Sequence, residues 1–387
     1  MEYEWVKLIL LLMMLVYMPL GVYQLYLVIS AVIHNDRREM RDCKLLTVPN
    51  RVLVVITTNG MATDVVEKIV RKVRSYEVAA EVYVLKEARD TFHYSAAEIT
   101  VPADYVCKNH SRCKMRAMQY GIEWLHAQGY GAETYICHLD DDSVVDRPYL
   151  MFVKYYLTAA GAQGCIRLRA FGRHLFSSLS DIIRISNCEA WCRNRNRHSN
   201  PQFVHGEGIV VRADVEYEIG WDYGTYGAED LLMGLNIAHR YKFGYIPMGN
   251  IYIALPTSVR DYYKQRRRWF WSILRDDGKI GQLSRKTDLF YKYMYINGVL
   301  GLFSLLLFPF VLFSEGTMGP YLMIVTIINI VCFVSYYEFG AVQMHSPLIS
   351  VLLFALLIPV AFYDGMTIMY SLVTRPDFTT FETIKKV

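Results

Sequence analysis

Charge is missing from both flanks of this sequence. No Asp, Glu, Lys or Arg stands between Lys7 and Asp36, and between Lys292 and Arg375 there are only Glu315, Glu338 and Asp364. Together with 53% hydrophobic residues and a mean hydropathy of +0.17, this excludes an ordinary water-soluble protein. Net charge is low as well, at +4, and the basic excess gathers beside the apolar runs. That pattern suits an anionic lipid surface and argues against nucleic acid as a partner. The eight cysteines show no zinc-ligand spacing; Cys188 and Cys192 are i,i+4 and stand alone. Repeats and low-complexity tracts are also lacking.

What is present begins with long apolar segments. Val6 to Ile33 exceeds the roughly 20 residues a spanning helix needs. It is too long for a signal-peptide core and has no small-residue cleavage pattern, so it reads as an anchor. Tyr293–Phe313, Tyr321–Gly340 and Leu348–Val373 are three further candidate spans. Glu338 and Asp364 inside them either face a helix bundle or lie near an interface. The expected division is an anchor (1–33), a polar domain (34–258), amphipathic interface helices (259–292), membrane helices (293–373) and a tail (374–387).

Basic residues follow the first span ("HNDRREMRDCK") and precede the second, whereas "SEGTMGP" after the second has none. The positive-inside rule therefore makes this an integral membrane protein with its polar domain cytosolic. Four spans would then leave Lys385 and Lys386 outside, against that rule, unless one of the C-terminal three is interfacial or re-entrant. A cytosolic domain predicts free thiols and leaves the sequon at Asn109 unmodified.

Within the polar domain, "RVLVVITTNG", "AEVYVLKEARD" and "ETYICHLDDDS" read as strands separated by amphipathic helices from Asp64 and Ser111. Alternation of this kind predicts a parallel sheet with helices on both faces, whose ligands bind beyond the strands' carboxyl ends. Thr57-Thr58-Asn59, Lys86-Glu87 and Asp140-Asp141-Asp142 converge there. If the third strand runs through the acidic cluster, Asp140 and Asp142 point to one side. Two hard oxygen ligands favour Mg²⁺ or Mn²⁺, held jointly with substrate phosphates; the alternative is a helix N-cap and turn.

"FVHGEGIVVRADV" reads as a pair of strands, and "YGAEDLLMGL" as a helix opening at Glu229 and Asp230. The helix dipole lowers the pKa of a base placed there, while neighbouring carboxylates and burial raise it. "KQRRRWFWSIL" reads as an interface helix whose arginine forks also suit a diphosphate. Arg193, Arg195, Arg197 and His198 form either a loop over a donor or, preferably, a solvated turn.

An α/β domain with Asp-x-Asp at Asp140 and Asp142, "AED" at Ala228–Asp230 and "QRRRW" at Gln265–Trp269, followed by membrane helices, resembles the membrane-integrated glycosyltransferases of family 2. "VPADYVCKNHSRCKMRAMQYGIEW" and "HLDDDSVV" are similar to segments of egghead-type β-1,4-mannosyltransferases. The likeness covers residues 50–275, and extends more distantly to cellulose and hyaluronan synthases.

It implies a GT-A fold (Rossmann-like, with a mostly parallel sheet), a GDP- or UDP-sugar donor, Mn²⁺ or Mg²⁺, and inverting transfer to a lipid or lipid-linked acceptor. It also implies roles. Asp142 and Asp140 would hold the metal, with Asp140 also at the donor. Asp230 would be the general base, with Glu229 beside it, and Arg268 would neutralise the leaving diphosphate. Thr57, Thr58, Glu87, Lys114, Gln265 and Arg268 would line the donor, and Trp269, Gly206 and Glu207 the acceptor. Two departures are Glu87 where the family has Asp and Ala228 where it has Thr. A processive polysaccharide synthase shares these motifs; a transporter or scaffold and a lipid phosphotransferase are the readings from other classes.

Overall fold

The computed structural model describes residues 4–169, 174–312 and 319–378, with the side chains of 308–312 left aside. Lys385, Lys386 and Phe313 lie outside the described residues. An apolar helix, α1 (Glu4–Ile33), and a short charged one, α2 (Asp36–Asp42), lead into the polar domain. There, β1 (Arg51–Thr58), α3 (Thr63–Arg74), β2 (Glu81–Glu87), β3 (Ala97–Val101), α4 (Cys113–Ala127) and β4 (Thr134–Asp140) follow the expected alternation, β3 being an addition to it.

Next come β5 (Val144–Val145), α5 (Arg147–Tyr155), β6 (Gly161–Leu168) and α6 (Leu175–Ser186). The last of these runs through a π-helical turn, Asn187–Cys192, into α7 (Arg193–Asn196). β7 (Val210–Arg212), α8 (Ala213–Ile219), α9 (Glu229–Arg240) and β8 (Phe243–Ile253) complete the domain. α10 (Val259–Leu274) and α11 (Lys279–Leu283) connect it to α12 (Arg285–Leu312), α13 (Gly319–Val342) and α14 (Pro347–Val373).

The eight strands form one sheet in the order β3-β2-β1-β4-β7-β6-β8-β5. It is mostly parallel, but β7 runs antiparallel to β4 and β6, and β5 runs antiparallel to β8. Alternation along β1 shows why both faces are covered. Val52, Val54 and Ile56 join Val66 and Ile69 of α3 in one core, while Leu53 and Val55 join Met118 and Ile122 of α4 in another. The expected α/β class, a mostly parallel sheet with helices on both faces joined to long apolar helices, is therefore the observed one.

Two readings change. "FVHGEGIVVRADV" holds one three-residue strand rather than two, because α8 begins at Ala213 directly after β7. The arginine segment is a solvated turn only at its end, where Arg197 and the exposed His198 follow α7; the part before it, Arg193–Asn196, is not. Arg193–Asn196 is helical, and Arg193 is buried in ion pairs with Glu189 (2.5 Å) and Asp36 (2.6 Å), while Arg197 pairs with Glu39 (3.3 Å).

Among the described residues, four helices are long and apolar enough to cross a membrane: α1, α12 over Arg285–Leu307, α13 and α14. Thus each of the three C-terminal candidates has spanning length, and the first of them starts at Arg285 rather than Tyr293. Asp364 accepts hydrogen bonds from Tyr262 (2.8 Å) and Tyr337 (3.4 Å), so it faces the bundle, and Glu338 is half-buried.

Candidate active site

Register brings the expected strand ends together. Thr57 is paired with Asp140 across β1 and β4, and with Leu85 across β1 and β2, while Thr58 is opposite Lys86. At the end of β4 the chain turns at once. Ser143 N donates to Asp140 O (3.2 Å), and Asp140 N donates to Ser143 Oγ (2.9 Å). The strand therefore stops at Asp140, and strand alternation cannot align it with Asp142, which occupies the turn and is 6% exposed. The helix N-cap envisaged as an alternative falls on Asp146, whose carboxylate accepts from Tyr149 N (3.1 Å), and not on the acidic cluster.

Opposite the turn, α9 opens with Glu229 and Asp230. The preceding Ala228 is left-handed, at φ 62°, a conformation that costs a β-carbon-bearing residue of the order of 1–3 kcal/mol. Lys114, from the first turn of α4, bridges the two sides. Its Nζ is 2.8 Å from Asp140 Oδ1, 3.9 Å from Glu229 Oε1 and 4.0 Å from Asp230 Oδ1. Burial alone would lower the lysine's pKa, but the Asp140, Asp230 and Glu229 carboxylates outweigh it and raise the value.

The Asp230 carboxyl is pushed well above the usual range, first by burial and then by Glu229; Lys114 opposes the shift, and Asp140 and Glu207 add to it. The competition left open by the sequence is thereby won by burial and like charge over a helix terminus. Backbone closes in from behind, since a β-carbon at Gly206 would lie 2.6 Å from both Asp230 oxygens.

The third side is α10. Two guanidinium groups lie against Trp269, with Arg266 4.5 Å and Arg184 5.0 Å from its ring. Each cation is itself anchored, Arg266 by the fully buried Asp181 and Arg184 by Glu207 at 3.1 Å. Cation–π contacts held this way fix the indole's plane. Asp181 and Arg184, three residues apart in the serine-rich α6, were missed by the sequence reading. Their charges, on a helix otherwise made of serine and apolar residues, were the available signal.

Lys114, Asp140, Glu207, Glu229, Asp230, Gln265, Arg268 and Trp269 line one cavity of about 640 Å³. The cavity continues between the apolar helices, where Leu20, Leu302, Phe333 and Ile358 line it. Asp142, Gly206, Thr57, Thr58 and Glu87 are not among its lining residues. Glu87 instead holds Arg116 at 2.5 Å, and Thr58 accepts from Gly60 N at 3.1 Å. Cys188 and Cys192, expected to stand alone, do not: His205 lies against both.

The family described as glycosyl transferase family group 2 matches residues 135–365. The chain belongs to that family. The match takes in Asp140, Asp142, Glu229, Asp230 and the Gln265–Trp269 motif, while Thr57, Thr58, Glu87 and Lys114 precede it. The chain is similar to the Drosophila melanogaster β-1,4-mannosyltransferase egh, 26% identical over 215 residues, covering 50% of this chain and 44% of that protein. It is 25% identical over 198 residues to the Caenorhabditis elegans β-1,4-mannosyltransferase bre-3, covering 46% and 40%. The matched part is thus less than half the length of these relatives. Among solved structures, the mannosyltransferase PcManGT of Pyrobaculum calidifontis, in complex with GDP-Man and Mn²⁺, superposes with a TM-score of 0.48 at 15% identity, over 92% of this chain and 98% of that one.

Proposed function

We propose that this glycosyltransferase moves a sugar, mannose in the first instance, from a GDP- or UDP-sugar to a hydroxyl of a membrane lipid or lipid-linked acceptor. Transfer is inverting, requires Mn²⁺ or Mg²⁺, and takes place at the cytosolic face. The carrying observation is the single cavity, polar and carboxylate-lined at one end and apolar between the membrane helices at the other. The names of the two curated relatives support mannose.

Asp230 is the base: its raised pKa makes it better able to take the acceptor's proton as the hydroxyl attacks the anomeric carbon. Glu229 keeps that pKa high, and Lys114 steadies Asp140 and Asp230. Gln265, Arg268 and Lys114 face the donor phosphates, and Arg268 offsets charge building on the departing diphosphate. Thr57, Thr58 and Glu87 serve the donor's nucleoside from the strand ends, with Arg116 holding Glu87 in place. Trp269, Gly206 and Glu207 border the acceptor.

Asp142 and Asp140 are the residues that would hold the divalent ion. The donor set is oxygen only and both carboxylates lie in one tight turn, the chemistry a hard divalent ion prefers. When bound, the ion neutralises negative charge on the diphosphate.

The test is nucleoside diphosphate release by the chain in lipid, across a panel of GDP- and UDP-sugars with Mn²⁺, Mg²⁺ or chelator. Metal-dependent turnover of one donor is expected, with Asp142→Ala and Asp230→Asn each lowering it by about 10²-fold or more. Chelator-resistant turnover would sink the metal assignment, and a long polymer product would support a processive synthase instead.

A further inference from the structure

One group of ligating atoms beside the cavity has no part in glycosyl transfer. Cys188 and Cys192 sit on the π-helical turn, each 0% exposed, and His205 approaches from the loop before β7. Nε2 of His205 is 2.9 Å from Cys188 Sγ and 3.5 Å from Cys192 Sγ, and one ligand atom from each residue lies within 4.8 Å of the others. Thiols are weak hydrogen-bond partners, so two of them at one ring nitrogen give little return for their burial. A π-turn is itself uncommon and is frequently found at functional sites.

The imidazole is held in place through its backbone. The fully buried Gln163 accepts from His205 N (2.9 Å) and donates to Phe203 O (3.0 Å), bracing the loop on both sides of Val204. Cys192 also contacts Phe203 O (3.5 Å).

We propose that Cys188, Cys192 and His205 bind one thiophilic divalent cation of the zinc class, the fourth position being left to water from the cavity that His205 lines. Zn–S and Zn–N lengths of about 2.3 and about 2.0 Å in a tetrahedron set sulfur and nitrogen about 3.5 Å apart. Cys192 already meets that separation, and Cys188 must withdraw by about half an ångström. Two sulfurs and a nitrogen select against the hard ions suited to the Asp140–Asp142 turn, so the two sites do not compete for one metal.

The consequence reaches Asp230. Gly206, the residue after His205, abuts both Asp230 oxygens, so a cation at His205 pins the backbone that backs this carboxylate. Metal here positions the loop and takes no part in bond making.

The test titrates the purified, reduced, metal-stripped chain in phospholipid nanodiscs with Co²⁺ alone, following thiolate-to-cobalt charge-transfer absorption. A single equivalent giving that band, displaced by Zn²⁺, is expected for the wild type and for Asp142→Ala, but not for His205→Gln. The half-exposed His205 is the variant of choice because serine at either buried cysteine can impair folding. No thiolate band in folded wild type, or an undiminished band in His205→Gln, overturns the proposal. So does a stoichiometric Cys188–Cys192 disulfide in protein alkylated within cells. None of these readouts needs sugar transfer, so this site and the proposed activity fail independently.

Discussion

A buried carboxylate that must take a proton cannot also be fully at ease when charged, and Asp230 pays this cost in stability. Burial and Glu229 raise its pKa above the ordinary value near 4, so its neutral form is the one favoured by folding. The sign follows directly. A folded-state pKa above the unfolded one contributes stability below the unfolded value, and that contribution is lost as pH rises through the folded value. Asp230→Asn should therefore lose activity yet melt higher than wild type, with the gap in melting temperature widening as pH rises above the ordinary carboxylate range. The acidic limb of kcat/KM should likewise lie above the usual carboxylate region and move to lower pH in Glu229→Gln, since one repelling charge is gone. A limb unmoved by that substitution would remove Glu229 from this role. These carboxylates were legible because they crowd together in sequence. Asp181, Arg184 and His205 were not, because Arg266, Glu207 and Cys188 meet them only through long-range packing.

Helices and strands were legible to the extent that one period ran unbroken. β1, β2 and β4 are apolar runs buried on both faces, and α4 carries a clear buried stripe. β7 has only three residues and α8 starts without a break, so periodicity had too little length to distinguish them. The join between α6 and α13 was invisible for another reason: it depends on a missing side chain. A β-carbon at Gly340 would lie 2.4 Å from Ser186 Oγ and 2.8 Å from Ile182 O, and Ser186 Oγ donates to Tyr336 O at 2.7 Å. Small residues let helix backbones approach in this way. Gly340→Val should cost about 1–3 kcal/mol, read as a lower melting temperature and weaker donor turnover, because α6 also carries Asp181 and Arg184. Gly131→Ala, which meets nothing closer than 3.5 Å, is the control expected to behave as wild type.

At the scale of the whole molecule, the polar sheet domain and the apolar helices share one cavity, and neither part could supply it alone. Asp140, Glu229 and Asp230 come from the domain, Trp269 and Arg268 from α10, and the apolar continuation from α1, α12, α13 and α14. Sequence could give the order of these parts but not the void between them, which depends on how four apolar helices pack around Leu20, Leu302, Phe333 and Ala361. If the apolar end receives the chains of a lipid acceptor, filling it should penalise acceptors in proportion to their length. Ala361→Trp puts an indole into that end, remote in sequence from every residue assigned to the donor. It should raise KM for a long-chain lipid acceptor by about tenfold, equivalent to about 1.4 kcal/mol, while leaving a short-chain, water-soluble analogue and the donor KM near wild type. Apolar burial sets this expectation, because affinity from acyl chains grows with each buried methylene whereas sugar and phosphate contacts do not. An equal loss with both acceptors would mean that the substitution disturbs the carboxylate end instead. No loss with either would mean that the acceptor enters by another route, leaving the apolar space between the helices without a part in substrate binding.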